Sequence, residues 1–580
     1  MQLAQLKRSH NSIQIRLKSD GSFKSFSSTG VLGMLNNKSP FLWTMPPGWL
    51  RFFIIILLFL GIFFRFVNLD QKVYWIDEAF TSLRVSGYTE AEVVQELSNT
   101  GIVGIDSLQK YQRPNSDKGI LGTINSLAIE DPHHPPLYYL IARFWAQCFG
   151  NSVAVMRTLP ALFSLLALPC IYWLCLELFE SSLTGWVAVA LLAISPFQVL
   201  YAQESREYSL WTVTILASSL ALLRARRRQT KASWFIYAVT LTLSLYTFLF
   251  SALVALGHGI YIVAIERFRL TKVLISYLLA LLAGMLLFSP WLIVFITNWG
   301  QFQHAQGWIN IGESSIVYLF LVLAQRVGLV FIDTNSSPID VLIYKDFFTI
   351  SSLALLALIL YSLYFICKTT PQKVWLFVIL LISISALFLI IPDLIKGGFR
   401  VGVGRYQIPI YLGVQIAISY LLASKITAIS TNVGQQKTWQ LIMIALVSGG
   451  VLSCAINFQV EVPWSKSLGN GIPNVARILN KATAPLLIGS PTPADLLSLS
   501  YRVDPKLKLL VKPKCFGCHV DAKSGEKLDI PTIPDSFSDV FLSRAGSFEK
   551  WVNGIEKEAS YKLNPVLSQA KEIIVWRLEK

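Results

Sequence analysis

Leu137-Tyr138-Tyr139-Leu140-Ile141-Ala142-Arg143-Phe144-Trp145-Ala146-Gln147-Cys148-Phe149 is the stretch on which the fold turns. It is apolar and aromatic, and whether it crosses a bilayer fixes the sidedness of everything after it. The composition makes a membrane the right frame. The 580 residues are 53% hydrophobic and 14% charged, with mean hydropathy +0.53, whereas soluble chains carry about 25% charged residues. Apolar runs of bilayer length, about 20 residues, recur at 49–69, 155–178, 183–201, 207–223, 233–249, 251–266, 273–296, 346–367, 374–391, 406–424 and 438–457. If 137–149 lies along the surface as an interfacial helix, the basic connections all fall on one side. These are Arg224, Arg226, Arg227, Arg228 and Lys231; Arg267, Arg269 and Lys272; Lys368 and Lys373; and Lys425 and Lys437. That is the cytoplasmic side by the positive-inside bias. One further crossing at 137–149 would expose the first cluster outside.

The same bias reads the rest. Lys7, Arg8, Arg16, Lys18, Lys24, Lys38 and Arg51 precede or open the first span, so residues 1–48 read as a disordered cytoplasmic tail before a signal anchor, with no small-residue cleavage site. Residues 49–457 form the transmembrane domain, with a first outer loop at 70–151. The excess of 50 Lys+Arg over 34 Asp+Glu is then topological, and no basic soluble domain suggests nucleic-acid binding. Ile316–Ile332 carries Gln325 and Arg326 centrally. A mid-bilayer charge costs about 2.5–3.5 kcal/mol on insertion scales, so this run reads as interfacial or re-entrant. Residues 458–580 change character. Strands are expected at 485–490, 507–511, 539–542 and 572–578, and helices at 494–501 and 548–555, a small extracytoplasmic α/β module. The expected fold class is a mainly α polytopic membrane protein of about 11 spans, with interfacial helices in the first outer loop and that module at the C-terminus.

Four polar clusters land on the outer face under this topology, and no motif was used to set the parity. The first is Asp77-Glu78 within Tyr74-Trp75-Ile76-Asp77-Glu78-Ala79-Phe80. Such carboxylates act as base, metal ligand or cation partner, and Asp77 alternatively caps a helix. The second is Glu130-Asp131-Pro132-His133-His134-Pro135-Pro136. Pro135 and Pro136 suit a helix start and the acids its positive end, and its histidines suit a metal or proton transfer. The third is Tyr201-Ala202-Gln203-Glu204-Ser205-Arg206-Glu207-Tyr208, which otherwise reads as headgroup-level ion pairing in an aromatic belt. The fourth, Lys396 to Tyr406, is glycine-rich and basic. Its backbone amides and the Arg405 guanidinium suit a phosphate, and snorkelling to lipid is the plainer role.

The ordered set YWIDEAF, HPPLYYLIARFW, SPFQVLYAQESREYSL and a late Arg405-Tyr406 resembles the C-type membrane glycosyltransferases of the protein O-mannosyltransferase and aminoarabinose transferase superfamily, over roughly residues 50–425. The resemblance implies a polyprenyl-phosphate-linked sugar donor, a lipid, glycan or protein acceptor, and work on the extracytoplasmic side of a bacterial plasma membrane. It matches Asp77 and Glu78 to the family's acidic motif, and His134, Pro135 and Pro136, preceded by Asp131, to its His-Pro-Pro motif. Gln203, Glu204, Arg206 and Tyr208 match its polar knot. Residues 101–125 have no counterpart.

The expected chemistry follows. A lipid phosphate leaves already ionised, so it needs cations, here Arg206 and Arg405 with Tyr406. The acceptor hydroxyl needs a base, here Asp77, with Glu78 or Asp131 orienting it. Asp131, His134, Gln203, Glu204 and Tyr208 are expected to support the site. No cofactor is expected with certainty; a divalent metal at Asp77, Asp131 and His134 is left open. A single displacement predicts inversion. A flippase or transporter is the alternative, disfavoured because the clusters lie at one face and not at mid-membrane; a non-catalytic envelope scaffold is another. Cys515 and Cys518, within Cys-x-x-Cys-His519, read as a disulfide and not as a haem site, since no second axial ligand follows.

Overall fold

The helix Leu137–Phe149 has 13 residues and so spans about 20 Å, short of a hydrocarbon core of roughly 30 Å. Its inward face carries Tyr138, Tyr139, Ala142, Arg143 and Ala146. Fully buried Arg143 donates to the Val85 carbonyl at 2.7 Å and the Thr123 hydroxyl at 3.2 Å, which ties the helix to the first loop. The computed structural model describes residues 5–9, 12–19, 22–26, 48–310, 315–333, 342–427, 433–518, 534, 536–543, 562–569 and 572–579. The expected helix at 548–555 and His519 lie outside the described residues.

Each expected span coincides with a helix or a bent pair. Among the described residues, seven helices are long and apolar enough to cross a membrane, or eight if the pair Ser182–Ala193 and Pro196–Ala202, bent by 59° at a two-residue break, is one span. Gly48–Phe66, Lys231–Thr247 and Ser251–Ile265 fill the other expected positions with 19, 17 and 15 residues. The chain is a multi-pass membrane protein. Ile316–Gly328 has 13 residues, too short to span unaided.

Residues 1–46 form a unit of their own. Where a disordered tail was expected, strands β1 (Gln5–Ser9), β2 (Ser12–Ser19) and β3 (Ser22–Phe26) pair antiparallel in that order.

The C-terminal sheet takes a strand from the first outer loop. β4 (Ile102–Gly104) pairs antiparallel with β6 (Lys508–Val511), and β6 and β7 (Asp539–Ser543) flank β5 (Pro485–Gly489) in parallel. β9 (Glu572–Glu579) lies antiparallel to β7, and β8 (Lys562–Gln569) closes the order β4-β6-β5-β7-β9-β8. Residues 101–125, without a counterpart in the resemblance, therefore begin as part of this sheet. Side chains alternate across it. Leu487, Leu509, Phe541 and Val575 share a core with Val93, Leu97, Leu108 and Tyr111 of the first loop, whereas Leu486, Ile488, Val540 and Leu542 face the other way. The module and the loop fold as one body.

Candidate active site

The helix Ile76–Ser86 builds the corner. Trp75 is its N-cap and makes no side-chain cap bond, so Asp77 lies inside the first turn and is not the cap. Two acids in a first turn suit the positive helix end. Consecutive helical residues point about 100° apart, and here the two separate completely.

Glu78 faces in. It is fully buried and receives Arg157 through both oxygens at 2.8 and 2.7 Å, Lys466 Nζ at 2.6 Å and the Ser205 amide at 2.8 Å. Burial pushes its carboxyl up, but Arg157 and Lys466 more than reverse this and hold it below the usual carboxylate range. Expected to be catalytic, Glu78 is a buttress, because every oxygen is already committed. Asp77 faces out. Its carboxylate lies 3.5 Å from Arg405, the two side chains being 19% and 16% exposed. Arg405 makes no hydrogen bond among the described residues. The rings of Trp75, Tyr208 and Tyr406 surround its guanidinium at 6.0, 5.9 and 5.7 Å.

The polar knot holds this corner from behind. Arg206, expected to bind phosphate, is 5% exposed and turned into the protein. It donates to the Asp77 carbonyl at 3.3 Å and the Thr81 hydroxyl at 3.2 Å, and meets His134 Nε2 at 3.1 Å. A guanidinium can only donate, so Nε2 accepts and the ring proton sits on Nδ1, which faces Glu207 at 2.8 Å. Gln203 donates to the carbonyls of Phe64 and Val67, both at 2.8 Å, and accepts from Lys72 at 2.6 Å. It clamps the end of the first span. Asp131 pairs with Arg84 at 2.7 Å, beside Glu130 on the same guanidinium. Burial raises Asp131, and Arg84 with the two histidines brings it to about 2. Glu204 differs from all of these: it is fully buried, and neither carboxylate oxygen has a hydrogen-bond partner. Burial pushes it up against Lys466.

Asp131 and His134 are thus engaged elsewhere, and among the described residues no three His, Cys, Asp or Glu side chains form a group that could hold a metal. The glycines of Lys396–Tyr406 serve packing. Gly398 takes φ +119°, and a Cβ there would meet the Ile309 carbonyl at 2.7 Å. Arg400 is spent on Asp393 at 2.8 Å.

Cys515 and Cys518 are bonded. The amides of Phe516 and Gly517 between them donate to buried Glu90 at 2.8 and 2.6 Å. Burial outweighs these bonds and pushes Glu90 up to about 7. A carboxyl raised on folding contributes stability that is complete below its unfolded value, about 4.3, and is lost as pH rises towards 7. Glu90→Gln should therefore show a smaller drop in melting temperature between pH 5 and pH 8 than wild type. Equal drops would contradict this.

Residues 133–294 match the family model of dolichyl-phosphate-mannose-protein mannosyltransferase. That match covers less than a third of the chain. Two solved structures of ArnT from Cupriavidus metallidurans share the fold. The one bound to undecaprenyl phosphate has TM-score 0.51 at 10% identity, and the apo one has 0.53 at 11%; each likeness covers 91% of this chain and 98% of that one. No curated protein matches the chain. Sequence reasoning gave no role to Arg157, Lys466, Arg84 or Glu207. Only Glu207 carried a signal, as an acid beyond what the turn needs.

Proposed function

We propose that this chain is an integral-membrane glycosyltransferase that moves a sugar from a polyprenyl-phosphate donor to a hydroxyl of a lipid, glycan or protein acceptor. It works at the extracytoplasmic face of a bacterial plasma membrane, with the N-terminus inside. One observation carries the reading: a part-exposed carboxylate and a part-exposed guanidinium face each other inside an aromatic ring, while Glu78, Asp131, Arg206 and Glu207 are spent on the protein. The ArnT of like fold binds undecaprenyl phosphate, which supports a lipid-linked donor.

Asp77 takes the acceptor hydroxyl proton. The acceptor oxygen bonds the anomeric carbon as its bond to phosphate breaks, and the lipid phosphate leaves as an anion beside Arg405. One displacement inverts the anomeric centre. The carboxylate also favours oxocarbenium character in the transition state. Trp75, Tyr208 and Tyr406 keep the site low in water, and the polyprenyl chain stays among the spans. The test is transfer of labelled sugar from such donors by purified protein in lipid. Arg405→Gln should transfer about 100-fold more slowly, as for loss of one transition-state anion contact. Unchanged transfer would sink the reading.

A further inference from the structure

The chain leaves the last span and crosses the corner before it reaches the C-terminal sheet. The crossing is Trp464–Gly469. The Trp464 indole donates to Asp333 at 2.9 Å, its ring lies 4.9 Å from the Arg326 guanidinium, and its edge is 3.4 Å from where a Cβ on Gly404 would stand. Gly404 immediately precedes Arg405. Two residues on, Lys466 is fully buried with Nζ 2.6 Å from Glu78. At Gly469 a Cβ would come within 3.2–3.3 Å of the Trp75 and Val73 side chains, so that residue lies tight against the segment entering the Asp77 helix. One short segment thus touches the Arg405 loop, the acid behind Asp77 and the approach to Asp77.

Lys466 is more cation than Glu78 needs. Arg157 already holds both Glu78 oxygens and Ser205 adds an amide. Lys72, also buried, stands nearby and acts on the same cluster. An ammonium has three donors, and Glu78 takes one. Glu204 supplies the matching deficit, with two buried oxygens and no partner. Lys466 is the strongest charge acting on it, ahead of Glu78, Asp77 and Arg405. A buried carboxylate without a counter-charge is costly and turns neutral.

We propose that Lys466 is a positioning residue of this site, steadying the Asp77 helix through Glu78 and supplying the counter-charge for Glu204, so that the segment after the last span completes the corner. This rests on reading the corner as the transfer site. It adds to that reading a working part outside residues 133–294 and outside the stretch that carries the resemblance.

The experiment compares full-length wild type, Lys466→Arg, Lys466→Gln and Lys466→Met in lipid nanodiscs. Lys466→Gln and Lys466→Met should lower kcat about 10- to 100-fold with donor KM within about twofold, as for misplacement of reacting groups. Lys466→Arg should recover most of it. A wild-type kcat in Lys466→Gln, or Lys466→Arg no better than Lys466→Met, overturns the proposal. So does a fall confined to melting temperature. If Lys466→Met does not fold, the Arg and Gln variants decide. An infrared titration needs no turnover: wild type should show the carbonyl band of a buried protonated carboxyl that Glu204→Gln removes, and Lys466→Gln should raise the pH at which that band is lost. A band lost at the same pH in wild type and Lys466→Gln, or no such band, overturns the proposal. A wild type that transfers no sugar sinks the functional reading and leaves the infrared test standing.

Discussion

Asp77→Asn should abolish sugar transfer, by about 1,000-fold or more, while the protein stays folded and still takes up its donor. General-base catalysis contributes about 100- to 10,000-fold, and the amide keeps the side chain's shape while removing its basicity. The fold does not depend on the carboxylate. The Asp77 backbone carbonyl, and not its side chain, accepts from Arg206 and Thr81, so the helix keeps its anchors. The loss in stability should be about 0.3–1 kcal/mol, the value of one acid in a first helical turn. Donor affinity gives a second sign. Asn leaves Arg405 without its only ion pair among the described residues, so the lipid phosphate meets an uncompensated cation. KM for the donor should stay level or fall while kcat collapses, which separates a lost base from a damaged site. A folded Asp77→Asn protein that transfers at the wild-type rate would remove the base from the mechanism.

Why Asp77 and Glu78 diverge is also why the sequence picked out the residues of this corner but misread some of their contacts. Adjacent acids look like a working pair, yet on a helix they point apart. What they meet comes from 79 and 388 residues away for Glu78, at Arg157 and Lys466. No local pattern encodes such partners. The spans were legible because bilayer length and the distribution of basic residues are properties of single segments. The knot Gln203–Tyr208 was legible as a place, because three charges exceed what a turn needs, but not as a set of roles. Gln203 clamps a helix end, Arg206 and Glu207 bracket His134, and Glu204 stays unpartnered. The sheet was partly legible. β5, β6, β7 and β9 are apolar runs between turn residues. β8 contains Pro565, which removes a ladder donor and argues against a central strand. It is tolerated because β8 is an edge strand with irregular register at that point. β4 has only three residues, too few to show a period, and its partner lies some 400 positions later.

Arg157→Leu should destabilise the protein far more than Asp77→Asn or Arg405→Gln, by about 3–5 kcal/mol, the usual cost of removing one member of a buried ion pair. The pair is only part of what this guanidinium does. Besides Glu78, it donates to the Leu69, Lys72 and Val73 carbonyls at 2.6, 3.0 and 2.7 Å. One side chain thereby holds the backbone between the first span and the Asp77 helix. Leucine would leave three buried carbonyls without this donor, at about 1–3 kcal/mol for each that finds no water. Lys466 and the Ser205 amide would still neutralise Glu78, so the charge itself would not be stranded and the loss should fall mainly on backbone position. Arg157→Lys separates the two contributions. It keeps the charge but cannot reach a carboxylate and three carbonyls together, so its melting temperature should lie between wild type and Arg157→Leu. Its kcat should fall further than its stability alone accounts for, because Asp77 rides on the backbone that Arg157 fixes. Thermal melts and initial rates on the same nanodisc samples measure both. If Arg157→Lys matches wild type in each, the backbone contacts are incidental and Glu78 needs only a nearby cation.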